Sequence, residues 1–253
     1  MSNITVKNLT IGEGIPKIVV PLMGATDAGI LEELQHVKSL EPDIIEWRVD
    51  AYMEVEKLES VMAALATIRV ALDDIPLLFT FRSHKEGGNR VITDSYYVEL
   101  LTTAIRSNEV DLLDIELFYQ DVIVKSLIKE AKASGVCVIV SNHNFTHTPS
   151  RETIISRLRE MQSLGADIPK IAVMPTNTED VLTLLDATNS MVTHYADRPI
   201  ITMAMGSEGL ISRLAGEVFG SALTFGAGKE VSAPGQIDTK DLRIVLEILH
   251  KNK

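Results

Sequence analysis

Eight short apolar runs recur along the chain, at Ile18–Met23, Ile44–Asp50, Leu77–Ser83, Leu112–Leu117, Val136–His143, Lys170–Pro175, Ile200–Met205 and Ala222–Ala227. Their length suits buried strands. Longer segments separate them: Asp27–Leu40, Leu58–Leu72, Ser95–Ser107, Asp121–Ala133, Arg151–Leu164 and Thr178–Tyr195. In the second of these, Leu58, Val61, Met62, Leu65 and Ile68 recur at helical spacing. Ser150-Arg-Glu-Thr and the Asn-Thr-Glu-Asp run ending at Asp180 are capped helix starts, and Ser134-Gly135 and Gly165 are stops. Strand followed by helix, repeated without a hairpin inside the series, predicts a parallel sheet. Eight such units in 253 residues favour an α/β fold closed into a (β/α)₈ TIM barrel, with an open doubly wound sheet as the alternative. Residues 4–13 precede the first unit and are expected to form a β-hairpin closing the barrel's bottom. No linker-like run divides the chain, so residues 1–253 are expected to form one barrel domain.

Alternation within the strands then sorts side chains by face. Glu46, Arg48 and Asp50 share one side of the second strand, opposite Ile45, Trp47 and Val49. Thr80 and Arg82 oppose Phe79 and Phe81; Asp114 and Glu116 oppose Leu113, Ile115 and Leu117. Ser141 goes with His143, and Lys170 with Ala172 and Met174. An outer barrel face must be apolar to carry helices, so the charged set is expected to point inward. Buried charges are costly unless paired, and so many on separate strands imply a site at the C-terminal mouth.

The net charge of −11 argues against nucleic acid as a partner. It also requires that any anionic ligand meet a local positive cluster, which Arg48, Arg82, Arg213 and Lys170 are expected to supply. The one cysteine, Cys137, excludes an intrachain disulfide. No signal-like start and no membrane-length apolar run is present, and a cytoplasmic location is expected.

Lys170 admits two readings. It is either a charged anchor for Glu46, Asp114 or Glu116, or an amine whose pKa is lowered by burial and nearby cations so that it forms an imine with a ketone. An imine acidifies the neighbouring carbon. His143, ending the fifth strand, has the parity and intrinsic pKa of a base for that proton, and Glu86 could orient it. Lys170 starts its apolar run, which would set it low in the barrel.

Several clusters resemble one family. Glu46-Trp-Arg48, Phe81-Arg82 with Glu86, Ser141-Asn-His143, Pro169-Lys170-Ile171-Ala172, Met203-Ala-Met-Gly206, Ser212-Arg213 and Ser232-Ala-Pro-Gly-Gln236 are similar, in the same order, to the type I 3-dehydroquinate dehydratases. The resemblance runs from Lys17 onward. It implies a TIM barrel, a homodimer and conversion of 3-dehydroquinate to 3-dehydroshikimate in the shikimate pathway, without metal or organic cofactor. Residue by residue it implies Lys170 as the Schiff-base lysine, His143 as general acid and base, and Glu86 as its orienting carboxylate. Arg213 then resembles the carboxylate clamp, Ser232 and Gln236 contacts from the last loop, and Glu46, Arg48 and Arg82 the ring-hydroxyl and carbonyl contacts. Pro21 departs from the pattern, standing where many relatives carry a small polar residue. Gly226–Gln236 is long and glycine-rich for a βα loop, as a lid would be.

Two other functions fit the same pattern. A class I aldolase of this architecture also uses a sixth-strand lysine, and a barrel could bind metabolites without catalysis. Gly226-Ala-Gly228-Lys229 lacks the remainder of a P-loop, and His84, His143 and His147 match no zinc spacing. Cys137 lies in an apolar run and reads as core.

Overall fold

The structure, a computed structural model, describes residues 2–229 and 232–253. The chain opens with an antiparallel hairpin, β1 (Ile4–Val6) and β2 (Leu9–Ile11), with Val6 opposite Leu9. Eight parallel strands follow: β3 (Lys17–Leu22), β4 (Ile44–Arg48), β5 (Leu77–Thr80), β6 (Leu112–Glu116), β7 (Cys137–His143), β8 (Ile168–Val173), β9 (Ile201–Ala204) and β10 (Leu223–Ala227). Helices α1 (Asp27–Lys38), α2 (Leu58–Leu72), α3 (Asp94–Arg106), α4 (Asp121–Ala133), α5 (Arg151–Leu164) and α6 (Thr178–His194) fill the first six crossovers. Two short turns of helix, α7 (Leu210–Leu214) and α8 (Gly216–Phe219), fill the seventh; a short strand, β11 (Ile237–Asp238), and α9 (Thr239–Lys251) end the chain. Among the described residues no helix is long and apolar enough to cross a membrane.

The strands pair in sequence order from β3 to β9, with β10 on the other side of β3. The curled sheet meets itself between β9 and β10, where the ladder shrinks to the single bridge Ile200–Ser221 and an Ala222 N–H donating to the Ile200 carbonyl at 2.8 Å. At this seam the Ser221 hydroxyl takes over part of the backbone's task, accepting the Thr202 N–H at 3.0 Å. The expected barrel is therefore closed, with one seam held by few bonds.

Packing separates the two faces as alternation predicted. Ile45, Trp47, Phe79, Phe81, Ile115 and Val140 join the outer core under the helices. Trp47 meets Phe79 edge-on, with ring centroids 5.6 Å apart. A second cluster occupies the lower barrel: Val19, Ile44, Leu78, Leu112, Ile139, Ile168 and Leu223, all from the first half of their strands, close over Val6 and Ile11 of the hairpin. The hairpin thus closes the bottom. Ile11 is fully buried there, so Ile11→Ala should cost about 2–4 kcal/mol in urea unfolding while leaving substrate affinity unchanged, because the site lies at the other end.

Helices α2, α4 and α5 begin and end where the pattern predicted. Strand ends differ. β8 starts at Ile168 and contains Pro169, so Lys170 is its third residue and not its first. Lys170 therefore stands higher than its apolar run suggested. At the top, β4 and β5 stop two and three residues short of their apolar runs, at Arg48 and Thr80. Beyond Thr80, side-chain carboxylates replace the ladder: Asp50 accepts the Arg82 N–H at 3.2 Å and Glu116 the Ser83 N–H at 2.8 Å. Buried acids here fix the backbone as well as the charges.

Candidate active site

The upper half of the barrel holds a cavity. Lys170, His143, Glu86, Glu46, Arg48, Arg82, Arg213, Ser232 and Gln236 all line it. The structure thus brings together the nine residues to which the sequence assigned catalytic or substrate contacts. Pro21 pairs beside Glu46 and is buried, but is not among the lining residues.

Most cations are already neutralised. Arg48 binds Asp50 through two hydrogen bonds, at 2.8 and 2.9 Å. Arg82 reaches Asp114 at 2.9 Å, Glu116 at 3.0 Å and the Ser141 hydroxyl at 3.0 Å. Burial works against the Arg82 charge, but Asp114 and Glu116 outweigh it and raise its pKa. The expected positive cluster is present, yet buried acids on the same inward faces leave little of it free for a ligand. Arg213 is different. It is fully buried, with Nη1 3.7 Å from the Met203 sulfur, Nη2 donating to the Pro234 carbonyl at 3.1 Å, and Nε without a partner. Burial drives its pKa down to about 10, and among the described residues no carboxylate answers it. A buried guanidinium in this state is a receptor for an anion.

Lys170 Nζ lies 3.5 Å from Asp114 Oδ2 and 4.5 Å from the centre of the Phe225 ring. Both readings of Lys170 meet here: it is anchored by Asp114, and it faces the cavity. Burial lowers its pKa, opposed by Asp114 and Glu46 and reinforced by Arg82 and Arg48; the net direction is down. Asp114 itself is pulled below its usual range by Arg82 and Lys170 in spite of its burial.

His143 stands on the neighbouring strand, paired with Ala172, one inward position above Lys170. Its Nδ1 is 2.8 Å from Glu86 Oε2, which also accepts the His143 backbone N–H at 3.0 Å. Glu86 sits in the short turn after β5, capped by Gly87 at a positive φ of 86°. Burial first, then Arg82, Lys170 and Arg48, hold His143 well below the ordinary imidazole range. Burial and the neighbouring Glu116 push Glu86 up to about 8. Two groups so close titrate as a unit, and the net effect is a pair that keeps one proton to higher pH than a free carboxylate would.

The last loop covers the mouth. Pro234 accepts the Gly206 N–H at 3.1 Å, and the Ser232 N–H and hydroxyl clasp the Gln236 amide at 2.8 and 3.0 Å. Gly235 has a φ of 76°, and a Cβ there would fall 2.2 Å from the Gly206 carbonyl oxygen, so only glycine permits this approach. Of the expected lid, Glu230 and Val231 lie outside the described residues.

Sequence reasoning missed four contributors. Phe145 and Phe225 form apolar walls of the cavity. The inward parity of Phe225 with Leu223 was available as a signal, whereas Phe145 stands in a loop with none. Asn142 and Arg157 support Glu86 from outside the barrel, through contacts that sequence spacing does not reveal.

Fold and site together define a (β/α)₈ barrel whose upper cavity is lined by a buried lysine, an imidazole and a buried guanidinium. The chain belongs to the type I 3-dehydroquinase family, whose model matches residues 18–253. It is 60% identical to the 3-dehydroquinate dehydratase of Bacillus velezensis over 100% of both chains. Identity to the Bacillus subtilis 3-dehydroquinate dehydratase is 57%, over 100% of this chain and 99% of the relative. Among solved structures, the type I 3-dehydroquinate dehydratase of Clostridium difficile with covalently modified comenic acid superimposes with a TM-score of 0.97 at 53% identity, covering 100% of this chain and 99% of that one.

Proposed function

We propose that the 3-dehydroquinate dehydratase activity of this chain, a step of the shikimate pathway, runs through an imine on Lys170 with His143 as the proton carrier. The uncharged amine attacks the ring ketone, the hydroxyl of the resulting carbinolamine takes a proton from protonated His143 and leaves as water, and the iminium so formed withdraws electrons from the adjacent carbon. Neutral His143 removes a proton from that carbon and the electron pair moves towards nitrogen, forming an enamine. The electrons then return and expel the C1 hydroxyl, which takes the proton from His143 and departs as water. Hydrolysis of the conjugated imine releases 3-dehydroshikimate and restores Lys170. Water is lost twice and consumed once, so one molecule leaves per turnover.

The observation that carries this reading is the placement of Lys170 and His143 in one cavity. Adjacent strands lie about 4.8 Å apart and two residues span about 6.6 Å along a strand, so the two groups bracket a space of ring size. The unanswered Arg213 fits the substrate carboxylate, with Ser232 and Gln236 from the last loop. Glu46, Arg48 and Arg82 fit the hydroxyls and carbonyl. The covalently modified comenic acid in the Clostridium difficile relative agrees with covalent chemistry in a protein of this family.

Borohydride reduction in the presence of 3-dehydroquinate, followed by intact and peptide mass measurement, tests the imine. An adduct on Lys170 with enone absorbance is expected. An adduct formed only with a sugar phosphate would indicate the aldolase, and none at all a binding barrel. We also propose a cytoplasmic homodimer, on the strength of the family resemblance; light scattering that returns the mass of one chain would overturn that.

Glu86→Gln should lower kcat by about 10²-fold with little change in KM. The glutamine amide can donate to Nδ1, which forces the proton onto Nε2 and removes the base. In the unaltered enzyme kcat/KM should rise with pH as the Glu86–His143 pair gives up its excess proton, which leaves an Nδ1–H donating to the Glu86 carboxylate and Nε2 free to act as the base. In Glu86→Gln that limb should move to lower pH, because the imidazole left alone is held below its ordinary range. A pH–rate series on both proteins checks the sign.

A further inference from the structure

Behind Glu86 a chain of polar side chains leads out through the barrel wall. Asn142 lies between the two inward residues Ser141 and His143 of β7, so its side chain leaves the wall on the helix side. It is nevertheless 1% exposed, and its amide is spent on two partners. Nδ2 donates to Glu86 Oε1 at 3.1 Å, and Oδ1 accepts from Arg157 Nη1 at 2.9 Å. Arg157 comes from α5, with its guanidinium 5.2 Å from the Phe118 ring centre.

The direction of this chain follows from chemistry. A guanidinium has donors and no acceptor, so Arg157 can only face the amide oxygen. That fixes the Asn142 amide in one of its two orientations and points an N–H at Glu86. Glu86 Oε1 then accepts that N–H, which disfavours a proton on this oxygen. Any proton on the carboxyl is directed to Oε2, the oxygen 2.8 Å from His143 Nδ1. We propose that Asn142 and Arg157 are positioning residues that lock Glu86 Oε1 as an acceptor and so keep the shared proton on the line between Glu86 Oε2 and His143.

This rests on His143 acting as the base. With the lock in place, proton gain at Nε2 during turnover is matched along the Nδ1–Oε2 contact, and turning the proton onto Oε1 is disfavoured. Without it, the Asn142 amide is free to turn its oxygen towards Glu86, where a protonated Oε1 would satisfy it. The charged and titratable groups facing the pair are Arg82, 3.7 Å from Glu86, with Glu116 and Asp114 from β6, and Lys170 and Arg48 facing His143. None of these touches Asn142, so the chain can be altered apart from them.

Arg157→Met removes the donor while keeping length and helix preference. Its kcat should fall about tenfold with KM unchanged, and the ascending limb of kcat/KM should move to higher pH, because the Glu86 carboxylate has lost support for its charged form. Arg157→Lys, which can again donate to Asn142 Oδ1, should restore most of both. Phe118→Leu, which removes the ring under Arg157 and leaves the hydrogen bonds, should leave both unchanged. If Arg157→Met is poorly soluble, Asn142→Leu removes the amide from the same place and should give the same shift. A pH limb that stays put in the variant tested, or a loss confined to KM, overturns the proposal. His143→Ala separates the two layers: if it abolishes turnover while Arg157→Met changes nothing, only the lock is wrong, whereas retained turnover in His143→Ala removes the base itself.

Discussion

Lys170→Ala is expected to lower kcat by on the order of 10⁵-fold, with substrate affinity changed little and the fold intact. The size follows from losing the electron sink: with no imine, the proton must leave a carbon activated only by a ketone. Affinity survives because binding is assigned to Arg213 and the polar contacts around Glu46 and Arg82. The fold survives because Asp114, which loses an amine 3.5 Å away, keeps Arg82 at 2.9 Å and the Ser141 hydroxyl at 2.7 Å. The removal leaves no acid stranded, in contrast to most deletions of a buried lysine. Steady-state turnover, calorimetric titration with substrate and a mass spectrum after borohydride give the three readings. Turnover within tenfold of the parent protein would end the imine mechanism.

Arg213→Met should weaken kcat/KM by about 10²- to 10³-fold, mainly through KM, as expected for a desolvated guanidinium that meets a carboxylate. The same change should raise the stability of the ligand-free protein by on the order of 1–2 kcal/mol. Among the described residues Arg213 is a buried charge with no acid beside it, and its Nε has no hydrogen-bond partner there. Its loss does not orphan the Pro234 carbonyl, which still accepts from the Gly206 N–H at 3.1 Å. A thermal melt with and without substrate separates the two effects: the variant should melt higher when empty and gain less on adding ligand. A variant that melts lower when empty would mean that Arg213 is structural cement and not a receptor for anions.

Local pattern carried far into this structure because a barrel obeys alternation twice over. Trp47 and Phe79 had to face outward because helices cover that side, and this alone turned Glu46, Arg48 and Thr80 inward. Where the pattern fell short, a tertiary contact decided. Pro169 reads as a break, yet it lies inside β8, and so Lys170 stands two residues deeper in its strand than its apolar run suggested. Arg48 and Arg82 were legible as inward cations, but their neutralisation by Asp50, Asp114 and Glu116 depends on which strands become neighbours. Only then does Arg213 emerge as the cation without an acid. The support of Glu86 by Asn142 and Arg157 was least legible of all, since it joins a loop, an outward strand position and a helix through polar contacts that follow no period. The catalytic roles themselves came from residue types in order, which is a statement about chemistry more than about fold.

The hairpin beneath the barrel has a consequence for traffic. With Val6 and Ile11 packed into the lower end, the described residues close the interior from below and leave it open at the top. Whatever the reaction liberates has to climb out by the route along which its precursor came in, and nothing can drain downward. Departure of the small fragment and of the ring is therefore a queue at one doorway, and whatever governs that doorway governs the rhythm of the cycle.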